Sequence, residues 1–233
     1  MKYILSVFLL SCSFFSIIGF SESPASFSQA KKIAAKIFTI NPQTLYCHCW
    51  FDGKKSIDLS SCQMQEAQSK KRSHRVEWEH MMPAEHFGKQ RPCWREAICE
   101  KNGKRFKGRK CCELIDNQFN HMEAELYNLW PSVGLINQLR SNYRYGITTK
   151  KTKTYGCNFS VQKEGRLVEP GDEVKGIVAR ATLFMSYRYQ LRLSDSQRQL
   201  FEAWNAMFPP TPWEKEWAKH VERIEGYKNP YIG

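Results

Sequence analysis

The chain has 233 residues, 42% of them hydrophobic and 13% aromatic, enough for one packed core and too many for a globally disordered protein. Lys plus Arg number 35 against 23 acids, a net charge of +12. That balance argues against cationic ligands and toward a polyanionic partner.

Met1 and Lys2 open the chain, and residues 3–20 are almost uncharged and apolar before Ser21 and Glu22. This is the layout of a secretory signal peptide, expected over residues 1–21, with one domain over 22–233. Removing it takes Cys12 away and leaves eight cysteines: Cys47, Cys49, Cys62, Cys93, Cys99, Cys111, Cys112 and Cys157. An even number in an exported chain predicts disulfides, although about a hundred pairings are open. The spacings lack the two-residue gaps usual for zinc knuckles. Export places the mature protein in the periplasm or outside the cell, with no stable membrane association, and a monomer is expected.

Residues 25–40 carry Phe27, Ala30, Ala34 and Ile37 on one helical stripe, and Asn41-Pro42 stops the helix. Residues 44–51 read as β-rich, and Asp52-Gly53 as a hairpin turn. A strand is predicted over 75–82. Residues 89–115 are Cys-rich, basic and aperiodic, a stapled loop. Residues 119–128 read as a helix, and Pro131 suits the first turn of another that runs to about Arg140. A polar, basic loop spans 141–156, and strands are expected within 157–168. Helices follow over 172–189, 195–207 and 212–224. The last two open on capping boxes, Ser194 with Gln197 and Thr211 with Glu214. The fold class is mixed α+β, helix-rich, in a single domain.

The chemistry concentrates at Glu77-Trp78-Glu79-His80. A carboxylate can hold a hard divalent cation, and the imidazole beside it can take a proton from water. Neighbours on a strand point to opposite faces, so a bend at residues 81–83 has to bring both to one point. A further oxygen ligand must come from elsewhere, and Asn128 and Asn137 are candidates. A strand pair delivering a base, packed on a helix delivering an amide, is the outline of a ββα-metal finger.

The run Arg75-Val-Glu-Trp-Glu-His80-Met-Met-Pro-Ala84, then Gly108-Arg109-Lys110, then Met122 through Asn128-Leu-Trp-Pro131-Ser-Val-Gly134-Leu-Ile-Asn137 resembles the endonuclease I family. Arg140-Ser-Asn-Tyr-Arg-Tyr145 and Asn229-Pro230-Tyr231 fit as well, and the likeness spans the mature chain. The family comprises periplasmic or secreted bacterial nucleases without sequence preference. The resemblance implies a ββα-metal core with His80 as general base, Glu79 and Asn137 as ligands of one Mg²⁺, and Arg109 stabilising the phosphate. The segment from Cys99 to Cys111 departs from the family pattern, so Arg105 is the alternative arginine. The implied activity is Mg²⁺-dependent endonucleolytic hydrolysis of DNA, and of RNA, leaving 5′-phosphate ends.

Two other readings compete. A non-catalytic, disulfide-stapled cationic protein that binds nucleic acid shares the charge and the cysteines but needs no Glu79-His80 pair. A zinc hydrolase wants more His or Cys than Glu79, His80 and one Asn provide. Asn128 is expected to hold the turn before Pro131. His74 and His86 are expected at or near the surface, and Trp78, Trp94 and Trp130 in the core. Lys150, Lys151 and Lys153 read as a solvated loop within reach of phosphates. Arg180 and Arg223 read equally as structural ion pairs or phosphate clamps.

Overall fold

The computed structural model describes residues 23–233, and the expected signal peptide lies outside the described residues. The elements in chain order begin with α1 (Phe27–Ile37), β1 (Val76–His80), α2 (Ala84–Gly88) and α3 (Pro92–Arg95). Then come β2 (Cys99–Lys101), β3 (Lys104–Phe106), α4 (Arg109–Ile115), α5 (Asn117–Ala124), β4 (Leu129–Val133) and α6 (Gly134–Arg140). The chain closes with β5 (Arg144–Tyr145), β6 (Phe159–Gln162), β7 (Leu167–Pro170), α7 (Asp172–Tyr189), α8 (Asp195–Met207) and α9 (Pro212–Glu225). This is the expected mixed α+β architecture.

β1 pairs antiparallel with β4, setting Glu79 opposite Trp130 and His80 opposite Leu129. α6 follows β4 directly, so β1, β4 and α6 form a ββα unit. Pro131 therefore lies in a strand, opposite Trp78, and not in the first turn of a helix. A two-stranded sheet has only edge strands, and an edge tolerates a residue with no N–H to donate. The helix starts three residues later, at Gly134. A Cβ there would meet the Arg72 carbonyl at 2.7 Å and Glu77 Oε1 at 3.0 Å, so only glycine lets α6 close on β1.

The stapled segment is more regular than expected. Cys93–Cys112 and Cys99–Cys111 tie α3, the β2–β3 hairpin and α4 together. Local periodicity could not reveal it, because the four sulfurs are its core, buried in a second apolar cluster with Phe87, Phe119 and Met122. The other two disulfides are Cys47–Cys157 and Cys49–Cys62. All eight described cysteines are therefore bonded to each other.

The expected β-rich run at 44–51 forms only isolated bridges, Gln43 to Trp50 and Phe51 to Ile57, although Asp52 does hold a turn by accepting from the N–H groups of Lys54 and Ser56. Helix α5 ends at Ala124, and residues 126–128 form a 3-10 turn. β5, β7 and β6 make a small sheet, with β5 parallel and β6 antiparallel to β7.

α7 runs through the main core, and its buried cations are paired. Arg180 forms a bidentate ion pair with Glu214 at 2.6 Å per contact, and Lys175 lies 2.9 Å from Glu169. Ser194 and Thr211 cap their helices as expected, accepting from the N–H groups of Gln197 and Glu214. The reciprocal halves of the boxes are absent, since the Glu214 carboxylate goes to Arg180 and the Gln197 amide donates to the Tyr145 carbonyl. Among the described residues no helix is long and apolar enough to cross a membrane.

Candidate active site

β1 ends at His80, and the chain bends at once. The N–H of Met81 donates to the Asn128 backbone carbonyl (3.0 Å), and Met82 is clamped from both sides by the Asn128 amide, at 2.6 and 3.0 Å. Asn128 is fully buried and spent on this clamp, so its part is structural, but its side chain holds the distant bend at Met82 and not the turn before Pro131. Glu79 and His80, the last two residues of β1, both line one cleft beside this bend. That cleft, of about 280 Å³, is also lined by Asn137, Arg109, Arg140 and Phe27. The four residues singled out from the sequence thus share one cleft. Arg105 does not line it, but sits exposed on β3.

His80 lies 4.6 Å from the Phe27 ring, and its Nε2 is 2.8 Å from the backbone carbonyl of Glu123. A carbonyl can only accept, so Nε2 carries the proton and Nδ1 carries a lone pair. Nδ1 has no protein partner and is not sealed from solvent, so its lone pair is open to the cleft. Burial pushes the imidazole down to about 4; the Glu123 carbonyl works against this, and the Arg109, Arg140 and Lys31 charges add to it. The ring is neutral at ordinary pH, with a free acceptor atom.

Glu79 is buried, and its Oε1 accepts from the Tyr46 hydroxyl (2.7 Å) and lies 3.1 Å from Arg140 Nε. Burial raises this carboxyl, against the Arg140 charge and the Tyr46 bond. Oε2 has no hydrogen bond among the described residues. Asn137 donates from Nδ2 to Glu77 Oε2 at 3.2 Å, which leaves Oδ1 without a partner. Glu77 itself is held by Arg72 and Arg75. One free carboxylate oxygen and one free amide oxygen in the same cleft are hard donors, fit for a small divalent cation that keeps most of its waters. The donor set fits Mg²⁺ and suits zinc poorly, since no cysteine is free and no cluster of three His, Cys, Asp or Glu occurs among the described residues.

Arg109 is the first residue of α4, after Gly108 at φ 92°, a left-handed conformation that favours glycine. Its Nε lies 2.5 Å from the buried Glu123 carboxylate and 3.2 Å from Glu113, and its guanidinium sits over the Phe27 ring at 5.5 Å. Burial pushes the Glu123 carboxyl up to about 7, with Arg109 opposing that shift.

Several site residues carry no role that the sequence alone reveals. Arg140 is visible there only as part of a family run. In the structure it is buried, donates to the Met81 carbonyl and sits over the Tyr145 ring at 4.8 Å. Tyr145 in turn shares a 2.5 Å hydrogen bond with Tyr46. These three groups lock Glu79 in place. Tyr46 and Glu123 carry no local signal, because their roles depend on contacts across 33 and 43 positions of sequence.

Other candidates lie outside the cleft or at its border. His74 bonds the Gln68 carbonyl, and His86 the Asn142 carbonyl. Trp130 is buried, while Trp78 and Trp94 are half-buried and border the cleft. Lys150, Lys151 and Lys153 are exposed, and Arg180 is committed to Glu214. Arg223 is exposed and bonds its own helix.

Known proteins are similar in sequence to this chain over most of its length. Residues 26–233 match the family described as Endonuclease I. The chain is 37% identical over 211 residues to Endonuclease-1 of Buchnera aphidicola subsp. Acyrthosiphon pisum (strain APS), covering 89% of this chain and 80% of that protein. It is 36% identical over 229 residues to an extracellular deoxyribonuclease of Aeromonas hydrophila, covering 96% of each. It is 37% identical over 217 residues to a periplasmic deoxyribonuclease of the same species, covering 91% of this chain and 87% of that protein.

Proposed function

The chain belongs to the endonuclease I family and is an endonuclease, and on that premise we propose that it hydrolyses DNA, and RNA as well, at internal phosphodiesters through the cleft around His80. The observation that carries this reading is the His80 imidazole, held with Nδ1 free beside Glu79, Asn137 and Arg109.

His80 Nδ1 takes a proton from the attacking water as its oxygen bonds to phosphorus. The bond from phosphorus to O3′ breaks, O3′ takes up a proton from solvent, and a 5′-phosphate end remains. Glu79 and Asn137 would hold one Mg²⁺, which when bound supplies Lewis-acid stabilisation of charge on the phosphoryl and leaving oxygens. Arg109 places a fixed positive charge where negative charge builds on the phosphoryl group. Arg140, Tyr46 and Tyr145 keep the Glu79 carboxylate aimed, and Phe27 packs against both His80 and Arg109. Lys and Arg contacts to backbone phosphates supply affinity without reading sequence.

The names of the relatives and the four disulfides support export to an oxidising compartment, by way of a signal peptide at the N-terminus. A monomer is sufficient, since every group invoked comes from one chain.

The test is plasmid nicking with Mg²⁺ and with EDTA, followed by end-labelling of the products and a parallel assay on RNA. Nicking that is lost in EDTA and leaves 5′-phosphates supports the reading. Nicking that persists in EDTA, or 3′-phosphate products, would overturn it.

A further inference from the structure

Arg109 lines two cavities. One is the cleft with His80; the other is an open groove of about 940 Å³ between the β2–β3 hairpin and α4. The cations Lys101, Lys107 and Lys110 wall the groove, and Phe106 and Leu114 give it an apolar lining. A single side chain bordering both spaces makes the groove a continuation of the cleft.

Glu100 and Glu113 also line the groove, so its positive charge is only partly compensated, and Glu113 is the one paired with Arg109. Residues 101–110 hold six cations, and among the described residues only Arg109 is ion-paired. Lys107 donates one proton to the Arg95 carbonyl (3.0 Å) and keeps its others free. Lys101 and Lys110 are exposed. Leu114 is 69% exposed, a large apolar side chain set among the cations.

The groove is also rigid. Cys99–Cys111 ties the first residue of β2 to α4, and Asn102 and Gly103, both at positive φ, close the hairpin in a tight turn. Like charges set on one fixed backbone repel each other, and a polyanion relieves that repulsion without a backbone rearrangement.

We propose that this groove holds the nucleic-acid strand on one flank of the scissile phosphodiester, with its phosphates on Lys101, Lys107 and Lys110 and its sugar edges against Phe106 and Leu114. The proposal rests on the reading that the His80 cleft cuts DNA. It makes the stapled hairpin a substrate-holding arm as well as the support of Arg109. It also favours cutting inside a strand, because a terminal phosphodiester with no neighbour on this side leaves the groove empty.

The test measures binding of a short fluorescent duplex in EDTA over a series of salt concentrations. The triple variant Lys101→Ala/Lys107→Ala/Lys110→Ala is compared with Lys215→Ala/Lys219→Ala/Lys228→Ala, which removes the same charge from the surface of α9 and beyond. The groove variant should lower the slope of log affinity against log salt by roughly 2 to 3, at about 0.9 per lost phosphate contact, and the control should barely change it. An equal effect of both triples, or none from the groove triple, overturns the proposal. Plasmid nicking by the wild type is run alongside. Nicking with an unchanged groove slope defeats the groove alone, whereas no nicking and no binding by the wild type defeats the functional reading and the groove with it.

Discussion

His80 donates its Nε2 proton to the backbone carbonyl of Glu123 over 2.8 Å, and the carboxylate of the same Glu123 lies 2.5 Å from Arg109. One residue thus sets the tautomer of the base with its main chain and anchors the arginine with its side chain.

This double role separates cleanly by mutation. Glu123→Ala keeps the carbonyl, so the His80 tautomer survives while Arg109 loses its anchor. Turnover should fall about 10- to 100-fold, in the range of a lost charge-stabilising group. Glu123→Ala combined with Arg109→Ala should be no slower than Arg109→Ala alone, because the two act as a unit. A double-mutant cycle on kcat checks this, and additive losses would contradict it.

Asn137 and Asn128 should behave differently. Asn137→Ala is expected to lose Mg²⁺ binding by isothermal titration, and cleavage with it, in a folded protein. Asn128→Ala removes two buried hydrogen bonds to Met82 and should destabilise by about 1–3 kcal/mol per unpaired group. A calorimetric melt reads that second effect. Full metal binding by the Asn137 variant rules out its role as a ligand.

Activity should depend on oxidation. Cys93–Cys112 and Cys99–Cys111 hold the segment on which Arg109 and the basic groove are built, and each is worth about 3 kcal/mol of local constraint. Mild reduction, or Cys99→Ala with Cys111→Ala, should abolish most nicking while circular dichroism stays close to native. Full activity with all eight mature cysteines titrating as free thiols would contradict the expectation.

The legible parts of this protein are those written locally. Helices α7 and α8 fall on their predicted bounds, α7 opening after Pro170-Gly171 and α8 running from the Ser194 cap to the residues before Pro209. Glu79 and His80 are recognisable from their adjacency, and Asn137 and Arg109 from the ordered motif. Pro131 points the wrong way, because its local preference for a helix start yields to the edge strand that accommodates it. Tyr46 carries no signal in the sequence, and Tyr145 and Glu123 appear only as members of the family-like runs, because the roles of all three arise when distant segments meet.

Away from the cleft, Glu125 and Glu225 form a buried carboxyl pair. Tyr227 donates to both, Tyr189 to Glu125, and the N–H groups of Tyr127 and Leu126 to Glu125 and Glu225 respectively, with the Ser23 hydroxyl and the Arg188 charge beside Glu225. Burial first, then the neighbouring Glu225, pushes Glu125 up to about 8, and Glu225 is raised as well. A raised carboxyl binds its proton better folded than unfolded, so its stabilising contribution is full below the ordinary carboxylate range and is lost as pH rises through about 8. The melting temperature should therefore fall by roughly 3 °C or more between pH 6 and 9, since about 1 kcal/mol moves it by 2–4 °C in a domain of this size. Glu225→Gln should flatten that slope. A melting temperature that rises over the same window would contradict the assignment.

The most direct measurement is single-turnover plasmid nicking by His80→Ala beside the wild type, in Mg²⁺, with duplex binding measured separately in EDTA. Loss of the base should lower the rate by roughly 10²-fold or more while the variant still binds DNA. Cleavage by His80→Ala at close to the wild-type rate would show that the proton leaves the attacking water by another route, and that His80 is not the base of the cleft it shares with Glu79, Asn137 and Arg109.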